Sequence, residues 1–128
     1  MYNPVLIIGA GPVGLCLALA LARQGTRVTL LERETEEVLR HPDTDGREVA
    51  LTHGTMRFLR EIGVWDHIPP DQVVTLRQVH VMDRRHAGFE INGLPFGQDN
   101  LGTLVPHHLL RRAAWQAATA HPHVALRT

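Results

Sequence analysis

The sequence is short of almost everything that marks a secreted, membrane-spanning or nucleic-acid-binding chain. Among 128 residues there is one cysteine, Cys16, so no internal disulfide framework can form. Cys16 sits in an apolar run, where burial raises a thiol's pKa, and it reads as a small core residue rather than a nucleophile. Thirteen basic residues balance thirteen acidic ones for a formal net charge of zero, which removes any general attraction to nucleic acid or to an anionic membrane. The apolar run at residues 13–22 is too short to span a bilayer. The N-terminus enters a strand-like segment without the basic region and cleavage site of a signal peptide. The expected compartment is therefore the reducing cytoplasm, with peripheral contact to a membrane left open. The sequence holds no internal repeat, low-complexity tract or heptad.

What is present is the balance of a globular domain, with 44% hydrophobic and 20% charged residues. The length suffices for one small domain and is short for a dinucleotide enzyme with two lobes. Residues 5–33, VLIIGAGPVGLCLALALARQGTRVTLLER, organise the rest. The continuous apolar run Val5–Ile8 predicts a parallel strand covered on both faces. Gly9, Gly11 and Gly14 then spell G-x-G-x-x-G. Gly9 permits the tight turn, Gly11 lets a diphosphate approach the backbone, and Gly14 lets a helix lie close to the sheet. Pro12 fits the first helical position, and the free N–H groups and positive dipole end of that helix would face phosphates. Residues 13–22 are apolar almost all round, which predicts a helix buried on every side. Gly25 is the expected left-handed cap. A second strand, Val28–Leu31, ends at Glu32, roughly twenty residues on, where an acid accepts hydrogen bonds from a ribose hydroxyl pair. A carboxylate there disfavours a 2′-phosphate. The pocket suits the adenosine diphosphate part of FAD or of NAD, and the motif alone does not choose between them.

Residues 34–46 lack periodicity and predict a surface loop with a short helix through residues 36–39. Residues 48–52 read as a brief strand and residues 56–62 as an amphipathic helix with Phe58, Leu59 and Ile62 on one face, ended by Gly63. Val64 and Trp65 read as packing residues. Ile68-Pro69-Pro70-Asp71 excludes helix and central strand and marks a lobe boundary. Residues 76–83, with Val79 and Val81 on one face, and residues 89–91 predict a hairpin turning at residues 84–88. Residues 92–102 read as loop, 109–120 as a helix stopped by His121-Pro122, and 124–126 as a last strand.

Nine histidines raise the question of a metal. His107 and His108 are neighbours about 100° apart on a helix and cannot share an ion, while His121 and His123 lack a third ligand nearby. No metal site is expected. Arg84-Arg85 and Arg111-Arg112 read as solvated pairs.

Residues 45–65, DGREVALTHGTMRFLREIGVW, resemble the flavin-dependent aromatic hydroxylases of the para-hydroxybenzoate hydroxylase type, most of all the branch that hydroxylates the ubiquinone precursor ring. That branch joins the glycine fingerprint to an Asp-x-Arg, an Ala-Leu-Ser/Thr and a helix ending in Leu-Gly-x-Trp. A substrate-lobe hairpin follows, then Val-x-x-x-x-Leu-x-x-x-Leu opening a helix, to which LVPHHLLRRA at residues 104–113 is similar.

The resemblance implies an α/β fold: a Rossmann-like FAD-binding βαβ lobe with the first hairpin of a β-rich substrate lobe, incomplete within this chain. It divides the chain into a first part of the FAD-binding lobe (1–72), a substrate-lobe hairpin and loop (73–103) and a return to the FAD-binding lobe (104–128). It implies FAD as cofactor, NAD(P)H and O2 as co-substrates, and hydroxylation of an aromatic or quinone-type small molecule. The cofactor-binding residues become Gly9, Gly11, Pro12, Gly14, Glu32, Arg33, Arg47 and His107, with no catalytic side chain, because the flavin supplies the chemistry and the protein placement and exclusion of water. Arg47 would pair with the diphosphate. His107 stands where the family commonly has Gln, Asn or Glu. The family's later Gly-Asp motif falls beyond residue 128, so the chain is expected to be an N-terminal portion, inactive alone. Two other readings compete. A NAD-binding dehydrogenase lobe would need a third parallel strand and crossover helix soon after Glu32, which residues 34–46 do not offer. A non-catalytic nucleotide-binding fragment would lack the second half.

Overall fold

The computed structural model describes residues 4–83 and 86–128. In chain order the first elements are β1 (Val5–Ile8), α1 (Pro12–Arg23), β2 (Val28–Leu31), α2 (Glu36–Arg40), β3 (Glu48–Leu51) and α3 (His53–Glu61). After them come β4 (Val74–Leu76), β5 (Gln78–Asp83), β6 (His86–Asn92), β7 (Gly102–Pro106), α4 (His107–Thr119) and β8 (Val124–Arg127). A parallel sheet takes the order β1-β2-β8, so its third strand comes from the far end of the chain. Among the described residues, α2 is the one element between β2 and β3, and no crossover unit follows Glu32 as a dehydrogenase lobe would require. Gly25, at φ +86°, caps α1 as expected, and the N–H groups of Gly25 and Thr26 donate to Ala22 and Leu21.

The core lies on one face of that sheet. Val28 and Leu30 of β2 are buried against α1 and α4, whose facing surfaces carry Leu15, Ala18 and Leu19 and Ala113, Ala114 and Ala118. Small side chains let the two helices approach each other over the strands. The opposite face is bare, which corrects the expectation of a strand covered on both sides: Leu6 is 58% and Ile8 84% exposed. Strand alternation sends those two residues away from α1 and α4, and among the described residues no element crosses to meet them. The expectation of an all-round buried α1 fails for the same reason, since Val13 is 83% exposed.

A second, antiparallel sheet runs β3-β7-β4. Its central strand, β7, was not anticipated. Thr103-Leu104-Val105 are three strand-forming residues between a glycine and a proline, too few for any periodicity to register. The buried Thr103 hydroxyl donates to the Val74 carbonyl at 2.8 Å, stitching β7 to β4. α3 begins three residues before the expected start because the Thr52 hydroxyl caps it, accepting the Thr55 N–H at 3.2 Å. Leu59 and Ile62 are buried as expected, but Phe58 is turned toward solvent. Val64 is buried, and the Arg60 guanidinium lies over the half-buried Trp65 ring, 4.8 Å from its centroid. Residues 70–72 make a single 3-10 turn that begins at the second of the two prolines.

The hairpin β5–β6 sets Val79 opposite Ile91 and Val81 opposite Phe89, an apolar face left open to solvent. Its second strand is longer than expected, starting at His86. Arg84 and Arg85, where the turn was expected to begin and which were read as a solvated pair, lie outside the described residues. Among the described residues, no helix is long and apolar enough to cross a membrane, and no cluster of three or more His, Cys, Asp or Glu could hold a metal ion.

Candidate cofactor-binding site

Each glycine of the turn between β1 and α1 has a different reason to be there. Gly9 adopts φ +101°, a region that side chains strain to enter, and its N–H donates to the Leu31 carbonyl at 2.8 Å. A Cβ at Gly14 would run into the Gly9 carbonyl oxygen, so α1 can lie against the turn only without one. Gly11 is unlike both. Its φ −72° and ψ 176° suit any residue, and a Cβ there would meet nothing within 4 Å. Among the described residues, no protein atom requires glycine at this position. The free space lies at the N-cap of α1, where no side chain caps the helix, Pro12 occupies the first turn and no acidic residue sits in that turn. Uncompensated N–H groups and the positive helix end are thus left facing open space.

Glu32 closes the other side of the turn. Its Oε2 accepts the Ala10 N–H at 2.7 Å, and its Oε1 accepts the N–H groups of Arg33 at 2.7 Å and Glu34 at 3.1 Å. These bonds, that from Ala10 foremost, hold its carboxyl below the usual range. A carboxylate offers about four acceptor positions, and three are used internally. About one remains for an outside hydroxyl. Arg33 is not drawn into the turn: its side chain is in solvent, its Nε 3.7 Å from Glu34.

Arg47 and His107, sixty residues apart in sequence, come together through Asp45. The Arg47 guanidinium donates to Asp45 Oδ2 from Nε at 2.9 Å and from Nη2 at 2.6 Å. His107 Nδ1 lies 2.9 Å from that same oxygen and 3.1 Å from Arg47 Nη2. The Arg47 backbone N–H donates to Asp45 Oδ1 at 3.0 Å, and the His107 N–H to the Arg47 carbonyl at 2.9 Å. β3 and β7 produce this meeting: Glu48 pairs with Pro106, so the residues just outside that rung are neighbours. The Arg47 guanidinium, more than its backbone N–H or His107, holds the Asp45 carboxyl far below the usual range. The carboxylate also sits at the uncapped N-terminus of α4, where negative charge is favoured.

An apolar groove of about 460 Å³ runs along α1, between it, α3 and the first turn of α4. Pro12 and Val13 of α1 line one side, Leu51, Thr55 and Phe58 another, and Leu110, one turn into α4 from His107, a third. Cys16 also lines it, its thiol pushed up to about 11 by burial, so it carries no thiolate near neutrality. Sequence reasoning missed Asp45 and the groove. The acid was visible as the first residue of the Asp-x-Arg pattern, but its role depends on His107, which no local spacing could supply.

Comparison with known proteins narrows the ligand. Residues 2–128 match the FAD binding domain family. The chain is 37% identical over 135 residues to ubiquinone hydroxylase UbiM of Neisseria meningitidis (strain FAM18), covering all of this chain and 29% of that protein. It is 32% identical over 124 residues to 3-demethoxyubiquinol 3-hydroxylase of Escherichia coli K12, covering 96% and 32%. Among solved structures, p-nitrophenol 4-monooxygenase PnpA of Pseudomonas putida DLL-E4 shares the fold with a TM-score of 0.72 at 24% identity, over 98% of this chain and 31% of that one. The chain thus spans less than a third of the length of these relatives. On the match across its whole described length, the chain belongs to the FAD binding domain family, and FAD is its cofactor.

Proposed function

We propose that this chain is the FAD-binding portion of a monooxygenase that hydroxylates an aromatic or quinone-precursor ring, with NAD(P)H as reductant and O2 as co-substrate. The observation that carries the reading is Gly11: a glycine that the protein's own packing does not need, at an uncapped helix start carrying no acid. A diphosphate is the group that needs both the space and the dipole. Gly9, Gly14 and Pro12 shape that turn, Glu32 has about one acceptor position left for a ribose hydroxyl, and Arg47, whose Nη1 N–H groups meet no partner among the described residues, can turn them to an anion. His107 lies within hydrogen-bond reach of the same guanidinium, and Arg33 lies in solvent beside Glu32, near Glu34. When bound, the flavin supplies oxygen activation; these residues bind and orient it and keep water away. The names of the relatives favour a ubiquinone-type ring as substrate.

In this reading residues 1–72 and 104–128 serve the cofactor, and residues 73–103 open a substrate lobe whose apolar face is Val79, Val81, Phe89 and Ile91. The part-buried single cysteine suits a reducing compartment, the cytoplasm. The test is a titration of the purified chain with FAD and with NADH, followed by flavin fluorescence and by calorimetry. FAD uptake that Gly11→Ser weakens by more than about tenfold without loss of helix content is expected. Uptake of NADH and not FAD would sink the reading.

A further inference from the structure

We infer that Asp45 is a positioning residue that locks Arg47 and His107 into one unit and sets His107 as the tautomer with a bare Nε2, so that its ring accepts a hydrogen bond from the cofactor. The inference rests on the flavin reading for its ligand and on the geometry alone for the tautomer.

Asp45 Oδ2 receives Arg47 Nε and Nη2 and stands 2.9 Å from His107 Nδ1. The carboxylate, held ionised beside a guanidinium, has no proton to give. A bond at that distance therefore needs the proton on Nδ1. Were Nδ1 bare, it could accept the second N–H of Arg47 Nη2 at 3.1 Å, but its lone pair would then face the carboxylate oxygen at 2.9 Å, a repulsion that Nδ1–H replaces with a charge-assisted hydrogen bond. With Nδ1–H directed at Asp45, neutral His107 offers one remaining function, an acceptor at Nε2, for which no protein partner occurs among the described residues. The two residues then divide the ligand between them. Arg47, whose Nη1 N–H groups have no partner among the described residues, suits an anion. His107 suits a donor, such as a ribityl hydroxyl or a ring N–H. An acceptor at residue 107 also matches what an amide or carboxylate side chain would offer there.

The test begins without ligand. Long-range proton–nitrogen NMR of the His107 ring in the 128-residue chain should show the Nδ1–H form, and Asp45→Asn, whose amide can turn an N–H toward Nδ1, should shift it to the Nε2–H form or to a mixture. Asp45→Glu, which restores a carboxylate, should restore the Nδ1–H form, and backbone amide spectra of both variants report that they are folded. In FAD titrations Asp45→Asn should bind about tenfold more weakly, the worth of one charge-assisted hydrogen bond, with Asp45→Glu in between. An Nε2–H ring in the unaltered chain, or an unchanged ring in Asp45→Asn, overturns the inference and leaves the flavin reading intact. An altered ring with unaltered FAD affinity overturns the positioning role. An Nδ1–H ring in a chain that takes up no FAD overturns the flavin reading, and the ligand half of the inference with it.

Discussion

The two ends of the site are built in opposite ways. The glycine turn and Glu32 come from one unbroken stretch whose backbone is over-determined, with Gly9 at φ +101°, Gly14 pressed on the Gly9 carbonyl and Glu32 tied back to Ala10. The Asp45–Arg47–His107 cluster comes from two distant segments and is held by side chains, of which Arg47 is 67% exposed. The first is part of the fold's architecture, and the second is an attachment to it. Mutations should therefore damage stability at the turn and binding at the cluster, with Gly11 as the exception that belongs to the turn by sequence and to the ligand by function.

The largest effect tests the architectural end. Gly14→Ala places a Cβ against a backbone oxygen that cannot move without unseating β1 and α1, and the cost should be about 3 kcal/mol by chemical denaturation. Arg47→Ala should cost less than about 0.5 kcal/mol, because its ion pair is largely solvated. Equal costs at the two positions would erase the contrast. Gly11→Ser sharpens it further. Serine is a better N-cap than glycine by a few tenths of a kcal/mol, and the added Cβ meets no protein atom, so stability should hold or rise slightly while FAD affinity falls by more than about tenfold, or over 1.4 kcal/mol. Loss of stability in step with binding would mean that the space at Gly11 serves the fold instead. At the other end, Arg47→Lys keeps the charge and loses the fork that grips Asp45 at two nitrogens. FAD binding should weaken about fivefold with denaturation midpoints unchanged. Indifference of binding to this change would remove Arg47 from the cofactor.

The same contrast decides what could be read from residues alone. The turn was legible because each of its parts is a local requirement: an apolar strand, a glycine forced by φ, a glycine forced by contact, an acid closing the second strand. Arg47 and His107 entered through resemblance, and Asp45 only as the first residue of the Asp-x-Arg pattern, without a role, since its function is fixed by the β3–β7 rung that sets Glu48 beside Pro106. β7 itself was hidden for a related reason. Its three strand-forming residues acquire meaning from partners on both sides, Leu51 and Val74 among their neighbours. The bare sheet face went unforeseen in the other direction, because Leu6 and Ile8 are as apolar as any buried strand residue, and a sequence pattern states what wants cover without saying where the cover is.

A pH-dependent effect separates the two carboxylates. Glu32 and Asp45 are both held below the usual range, but Glu32 by backbone N–H groups of the turn and Asp45 first by a side chain. A carboxyl whose folded pKa is lowered stabilises the fold above its unfolded value and loses that contribution as pH falls through the lowered folded value. For Glu32 the loss should begin as pH drops below its ordinary 4.5. Glu32→Gln keeps the shape and an acceptor oxygen but loses the charge, so at neutral pH it should be less stable by roughly 1 kcal/mol. Denaturation midpoints of the two proteins, taken at falling pH, should converge below that value as Glu32 protonates and comes to resemble its amide. The same comparison with Asp45→Asn should show a smaller gap at neutral pH, because the Arg47 partner that lowers Asp45 is largely in solvent and can be hydrated in its place. A Glu32→Gln gap that stays constant down to acid pH would mean that the bond to Ala10 does not depend on charge, and that backbone and side-chain partners do not set the two carboxylates apart.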